Sequence, residues 1–287
     1  MAPNRPWALV SPASRGIGLA LARRVLRTTR CPVVATARKE LDETRGKILE
    51  GLDGEERESF AKRLQVLELD VTDESTISTT STHCTKAFPT STHHLRLAFV
   101  VPGILHPEKS PAKISADDAL STFRINTLGP LLMMKHFSPF LPTKQRFKES
   151  WDSPDSNSEM EGLPGQQAVW ATMSARVGSI SDNSLGGWYS YRASKAAVNQ
   201  LTKTFDNYLR ATACERAMAL ALHPGTVKTG LSEEFWGSVK EDKLFEADWV
   251  AQRLVALCGG MNVEGLGEIG EEGRGRCWDW KGEEVMP

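Results

Sequence analysis

The sequence predicts an α/β protein, a single doubly wound domain around a mostly seven-stranded parallel sheet with helices on both faces. Three observations carry that expectation. Apolar, β-branched runs recur along the chain; each is separated from the next by a segment long enough for a helix; and a glycine turn joins the first run to apolar positions at helical spacing. A length of 287 residues suits one sheet of this kind, so 1–287 is read as one domain.

The elements follow in order. Trp7-Ala8-Leu9-Val10 is a short apolar strand, Ser11-Pro12-Ala13-Ser14-Arg15-Gly16-Ile17-Gly18 a turn, and Ile17, Leu21, Ala22, Val25 and Leu26 the apolar stripe of a helix. Pro32 to Ala37 supplies a second strand, which completes a βαβ unit in the first 38 residues. Further strands are expected at Leu64 to Leu69, Leu97 to Val101, Ala168 to Met173 and Met218 to His223, with a last one near Cys277 to Trp280. A helix is expected from Leu120 to Lys135, disturbed by Thr127-Leu128-Gly129-Pro130, and a long one beginning near Tyr191 with the stripe Ala197, Leu201, Phe205, Leu209. The segment 143–166 is polar and irregular, and reads as a surface insertion too poor in apolar residues to pack.

Composition excludes several functions. Lys and Arg total 35 against 36 Asp and Glu, so the basic surplus that nucleic acid or an anionic membrane would require is missing. The hydrophobic fraction of 40% and mean hydropathy of −0.33 suit a globular protein, and no apolar run approaches the ~20 residues that span a bilayer. Cys31, Cys84, Cys214, Cys258 and Cys277 are scattered and odd in number, and the six histidines show no ligand spacing, so neither a disulfide framework nor a metal site is expected. The opening Met1-Ala2-Pro3-Asn4-Arg5-Pro6 runs into a strand without signal-peptide regions, and the expected location is the cytoplasm.

The glycine turn suggests a nucleotide site. Backbone N–H groups at the start of a helix can hold a pyrophosphate, because glycine permits close approach and the helix dipole favours negative charge. A carboxylate at the end of the second strand would serve an NAD ribose, but this strand ends Thr36-Ala37-Arg38-Lys39. Arg38 and Arg15 would instead offer bidentate cations to a 2′-phosphate, which favours NADP(H) over NAD(H). The alternative for Arg38 and Lys39 is a solvated strand end.

Five ordered motifs then accumulate: the turn from Ser11 to Gly18; Asp70-Val71-Thr72; Asn126 within Arg124-Ile125-Asn126-Thr127; Tyr191-Arg192-Ala193-Ser194-Lys195; and Pro224-Gly225-Thr226-Val227-Lys228-Thr229. On these the chain resembles the short-chain dehydrogenase/reductase family, with its Rossmann-type fold, from Ala8 to about Pro287. The stretch Ser174 to Lys195 is most similar to the C-factor and sniffer-type carbonyl reductases. The resemblance implies a cofactor site of Ser14, Arg15, Gly16, Ile17, Gly18, Arg38, Asp70, Val71, Gly103, Asn126, Tyr191, Lys195, Val227 and Thr229. Asp70 and Val71 would hold the adenine, Val227 and Thr229 the nicotinamide carboxamide. It also implies a homodimer or homotetramer formed through the helices of Asn126 and Tyr191.

The reacting groups can be argued from chemistry as well. Tyr191 and Lys195 are four residues apart on one helix face, and a fixed ammonium one turn away is expected to lower the pKa of a phenol. Tyr191 would then give a proton to a substrate carbonyl oxygen as hydride arrives. The family assigns Lys195 also to the nicotinamide ribose and Asn126 to a water relay; the bland alternative for Asn126 is a cap at a helix break. The family's substrate-binding serine falls on Ala175, three positions before Gly178, so Ser174 is the favoured hydroxyl and Ser179 the substitute. Two further departures bear on the cofactor. Pro12 replaces the first glycine of the turn and removes an N–H, and Val100-Val101-Pro102-Gly103 keeps only the glycine of the family's Asn-Asn-Ala-Gly.

Leu231, Phe235, Trp236, Val239, Leu244 and Phe245 make 230–247 a possible helical lid over the substrate, or else an amphipathic surface helix. The leading expectation is an NADPH-dependent reductase converting an aldehyde or ketone to an alcohol, or the reverse. The alternatives are a non-catalytic NADP(H)-binding regulatory protein and a biosynthetic reductase with a second cyclising or isomerising role.

Overall fold

The computed structural model describes residues 4–146, 160–165, 167–259 and 273–287. β1 (Arg5–Ser11) lies inside the sheet, between β4 and β2, and its side chains serve both faces. Ala8 and Val10 point into one buried cluster, Trp7 and Leu9 into the other, the alternation a strand dictates. From β1 the chain winds one way through α1 (Gly16–Thr28), β2 (Val33–Ala37), α2 (Leu41–Ile48), α3 (Gly54–Arg63) and β3 (Leu64–Glu68). It then crosses back through α4 (Glu74–Ala87) to β4 (His93–Val100) on the other side of β1. After α5 (Ala116–Phe123) and α6 (Gly129–Phe137) it continues outward through β5 (Ala168–Met173), α7 (Tyr189–Ala213) and β6 (Ala217–His223).

The remaining elements are β7 (Thr226–Val227), β8 (Leu244–Phe245), α8 (Ala247–Gly259), β9 (Cys277–Asp279) and β10 (Glu284–Val285). The large sheet has the order β10-β9-β6-β5-β4-β1-β2-β3. All its pairs are parallel except β10 with β9. The seven expected parallel strands are therefore joined by an eighth, antiparallel one. It is two residues long and leaves no periodic signal. The chain reverses direction across the sheet between β1 and β4, which opens a crevice beyond their C-terminal ends.

Three expectations are modified. The helix expected at Leu120 to Lys135 is split into α5 and α6 by a π turn, Arg124–Leu128, in which the N–H of Gly129 reaches back to the carbonyl of Arg124. Pro130 in the first turn of α6 lacks a donor, so wider pairing at this point is tolerated. The lid region forms two short 3-10 turns, Glu233–Ser238 and Glu241–Lys243, and β8, which pairs with β7; Gly230 and Gly237 disfavour one continuous helix. Of the insertion, 147–159 and 166 lie outside the described residues, but its end does pack. Leu163 is buried in the cluster that includes α1, and Arg96 donates to the carbonyls of Pro164 and Gly165, both at 2.7 Å.

Candidate active site

The glycine turn is tied to both neighbouring strands. Ala13 N–H donates to Thr36 O at 2.7 Å, Thr36 Oγ1 to Ser11 Oγ at 2.8 Å, and Val101 N–H to Ser11 O at 2.7 Å. Gly18 is required by close approach, since a Cβ there would lie 1.9 Å from the Pro12 carbonyl oxygen and 3.3 Å from Val101 Cγ2. Pro12 and Val101, the two departures from the family pattern, thus pack on the same glycine. Gly16, at φ +56°, lies against Thr229, whose Cγ2 would be 3.3 Å from an added Cβ. The turn and the Val227-Lys228-Thr229 segment therefore face each other across the crevice.

α1 starts without a side-chain cap and without an acidic residue in its first turn, which leaves its N–H groups suited to an anion. Ser14 and Ile17 are part-exposed beside it, and Arg15 and Arg38 are exposed, with no ion pair among the described residues. A cradle that a Cβ would fill and two uncommitted guanidinium groups fit a nicotinamide dinucleotide carrying a phosphate on its ribose. Asp70 Oδ1 accepts from the N–H and hydroxyl of Thr72, both at 2.8 Å, and so shapes the turn after β3. Val71 packs on Gly129, where a Cβ would approach within 2.9 Å of its own, and this contact joins the turn after β3 to the π turn of Asn126.

The π turn delivers the Asn126 side chain into the interior. Its Oδ1 accepts from Ile104 N–H and its Nδ2 donates to Ile104 O, both at 2.9 Å, and Nδ2 also reaches Ser194 Oγ at 3.1 Å. Lys195 Nζ donates to Met173 O at 2.8 Å and lies 5.7 Å from the centroid of the Tyr191 ring. These groups converge on Gly103. A Cβ there would be 3.7 Å from Lys195 Nζ, 3.8 Å from Leu231 Cδ1 and 4.0 Å from Asn126 Oδ1.

Burial governs both titrating groups. It pushes the Tyr191 phenol up to about 12 and the Lys195 ammonium down to about 8. The expected lowering of the phenol by the lysine is not found; desolvation raises it instead.

The hydroxyls near β5 are committed elsewhere. Ser174 Oγ donates to Asn199 Oδ1 at 2.6 Å, and Ser179 Oγ accepts from Asp182 N–H at 3.1 Å and pairs with Ser181 Oγ at 3.2 Å. Donation by Ser174 to a substrate oxygen would require the Asn199 bond to break. Asn199 was not singled out from the sequence, although it follows Lys195 by four residues on the same helix. Gly178 presses the turn after β5 onto that helix, since a Cβ would meet the Lys195 backbone at 2.7 Å.

Sequence reasoning also passed over Glu108 and Trp188. The Glu108 carboxylate binds Ser190, and the Trp188 ring lies edge-on to Tyr191 at 6.2 Å and against Phe235 at 4.9 Å.

Comparison with known proteins gives a family and a fold. The short chain dehydrogenase family model matches residues 6–147. The chain is 34% identical over 113 residues to 1-hydroxy-2-glutathionyl-2-methyl-3-butene dehydrogenase of Rhodococcus sp. (strain AD45), a match that takes in 39% of this chain and 38% of that enzyme. It is 29% identical over 168 residues to the C-signal protein of Myxococcus xanthus, covering 58% of this chain and 78% of that one. Among solved structures, the carbonyl reductase Sniffer of D. melanogaster superposes with a TM-score of 0.75 at 22% identity, over 99% of this chain and 100% of that chain, a likeness of fold. The NADPH-bound carbonyl reductase from chicken fatty liver gives 0.71 at 25% identity, over 100% of this chain and 96% of that one.

Proposed function

The chain belongs to the short-chain dehydrogenase family, and from that premise we propose that it is an NADPH-dependent oxidoreductase that reduces an aldehyde or ketone to an alcohol. The observation that carries this reading is the convergence on Gly103 of Lys195 Nζ, the Asn126 side chain and Leu231 of the lid, beside Tyr191. The solved NADPH-bound carbonyl reductase with the same fold supports the choice of cofactor and reaction.

In this reading Ser14, Gly16, Ile17 and Gly18 hold the pyrophosphate, and Arg15 and Arg38 the 2′-phosphate. Asp70 and Val71 hold the adenine, Gly103 lines the crevice, and Val227 and Thr229 hold the carboxamide. NADPH supplies a hydride when bound. Tyr191 is protonated at neutral pH, as any phenol is, and holds the proton that goes to the substrate oxygen. Burial, which raises its pKa to about 12, makes it a weaker acid than a free phenol, so the proton moves only as hydride arrives and charge develops on that oxygen. Lys195, held by Met173, keeps a cationic group beside that phenol, and Asn126 fixes the Ile104 backbone next to it. Ser174 completes the set only by giving up Asn199. Leu231 and Phe235 of the lid, 230–247, exclude water from the reacting atoms.

The chain acts as one catalytic unit in the cytoplasm and associates with itself. Leu120, Phe123, Leu128 and Leu131 are exposed along α5, the π turn and α6, which supports burial of that face in a second copy. The test is an NADPH-consumption screen over aldehydes, ketones and quinones with an NADH control. Reduction of at least one carbonyl with preference for NADPH is the expected result. Ala175, in place of the family's serine, favours one competing reading, an NADP(H)-binding protein without turnover. Protection against heat by NADPH with no carbonyl reduced would establish that alternative.

A further inference from the structure

α7 carries Tyr191 and Lys195 but has no cap of its own. Trp188 precedes it in the left-handed region, at φ 50°, and makes no side-chain capping bond. The first turn is instead held from the loop that follows β4. Glu108, buried to 3% exposure, accepts the Ser190 N–H on Oε2 at 2.9 Å and the Ser190 hydroxyl on Oε1, while its backbone carbonyl accepts the Trp188 N–H at 2.7 Å. A carboxylate suits this place for two reasons. Each oxygen takes one donor, and its charge lies at the start of a 25-residue helix, where the macrodipole favours an anion.

The same loop is fixed at its other end by the site. Ile104 pairs through both backbone groups with the Asn126 side chain; Asn126 Nδ2 meets Ser194 Oγ; and Ser194 Oγ donates to Tyr191 O at 2.8 Å. A closed circuit of hydrogen bonds therefore runs from Asn126 through Ile104 and the loop to Glu108, across to Ser190, along one turn of α7 to Ser194 and back to Asn126. Tyr191 lies within that turn. We propose that Glu108 is a positioning residue, which sets the place of the Tyr191 hydroxyl by clamping the first turn of α7 to the loop after β4. The inference builds on the reductase reading for its kinetic consequence but not for the clamp itself.

The experiment compares Glu108→Ala, Glu108→Gln and Ser190→Ala in the full chain. The first readout is amide hydrogen exchange over residues 188–195, which needs no activity. Exchange there is expected to rise in Glu108→Ala, less in Glu108→Gln, which keeps one acceptor oxygen, and to stay unchanged at the C-terminal end of α7. The second is kinetic. kcat is expected to fall at least about tenfold in Glu108→Ala, with the NADPH Kd within twofold of wild type, and the pH profile of kcat to shift because the phenol is less well held.

Ser190→Ala keeps the N–H bond and is expected to be intermediate, and to add nothing to Glu108→Ala in the double variant. Unchanged exchange in the variants overturns the proposal, as does raised exchange with wild-type kcat. So does a parallel fall of kcat and NADPH affinity, the mark of general loosening. Raised exchange confined to 188–195 in the variants, with a wild type that reduces no carbonyl, upholds the clamp and overturns the reductase reading instead.

Discussion

Lys195 Nζ donates a 2.8 Å hydrogen bond to the carbonyl oxygen of Met173, so the ammonium that accompanies Tyr191 is anchored to the last residue of β5. The anchor holds the cation 5.7 Å from the centroid of the phenol ring, over the ring and not at its edge. Desolvation shifts the two groups in opposite directions, the phenol up and the ammonium down, and both remain protonated at neutral pH.

A protonated Tyr191 is needed only in the chemical step. Tyr191→Phe removes one oxygen at a buried position and leaves the packing of the ring intact, so folding and NADPH affinity are expected to stay close to wild type. Turnover is expected to fall by roughly 10²- to 10⁴-fold. Steady-state rates on any accepted carbonyl, set beside NADPH fluorescence titration, check this; wild-type turnover in the variant would remove Tyr191 as the acid.

The lysine leaves a mark on stability. Its pKa is about 8 in the folded protein against an ordinary 10.5. Below pH 8 it is charged in both states, and the cost of burying the charge is fully present. Between pH 8 and 10.5 the folded protein has released its proton while the unfolded chain still binds one, so stability rises with pH, by at most about 1.4 kcal/mol per pH unit. The thiols of Cys84, Cys258 and Cys277, pushed up to about 12 by burial, act in the opposite sense above pH 9, because the unfolded thiols ionise first. They are common to wild type and Lys195→Met. The stability of unliganded wild type relative to Lys195→Met, from urea melts, is therefore expected to increase from pH 8 upward; a flat difference from pH 7 to 9.5 would contradict the depressed pKa.

Arg38 is exposed at the end of β2 and makes no ion pair among the described residues, so its removal disturbs little besides a ligand. Arg38→Ala is expected to weaken NADPH by about tenfold or more, the value of a charge-assisted hydrogen bond, and to leave NADH unchanged. Binding isotherms for the two cofactors decide the matter. Equal loss for both, or none for either, would take the 2′-phosphate away from this residue.

What could be read from the sequence was local. Val33–Ala37 is buried on both faces and writes itself as an apolar run broken only by Thr36, and Tyr191 and Lys195 share a helix face by spacing alone. The bond between Glu108 and Ser190 joins residues 82 apart and follows no period. Ser174 looked like the free hydroxyl because its partner, Asn199, is met only when the turn at Gly178 folds onto α7. Leu163 is one apolar residue in a polar stretch, and its burial depends on Gly162, at φ +77°, coming against the Thr28 carbonyl. Local pattern locates elements, whereas close approach between distant segments decides which side chains remain available.

Self-association offers a test away from the crevice. Leu120 is 69% exposed, and Leu128 and Leu131 are 45% and 42% exposed on the same α5 to α6 stretch. Their inward neighbours Asn126, Met133 and Met134 are buried, so the outer face can be charged without entering the core. Full burial of a leucine contributes about 1.5 to 3 kcal/mol, and covering the part of each that remains exposed contributes roughly half of that or a little more. A double Leu128→Glu, Leu131→Glu variant is expected to convert an oligomer into a monomer in light scattering while NADPH binding persists, because those side chains face away from the Asn126 amide. A wild type that is monomeric at micromolar concentration, or a variant that keeps the mass of the wild-type oligomer, would show that this face is not the interface.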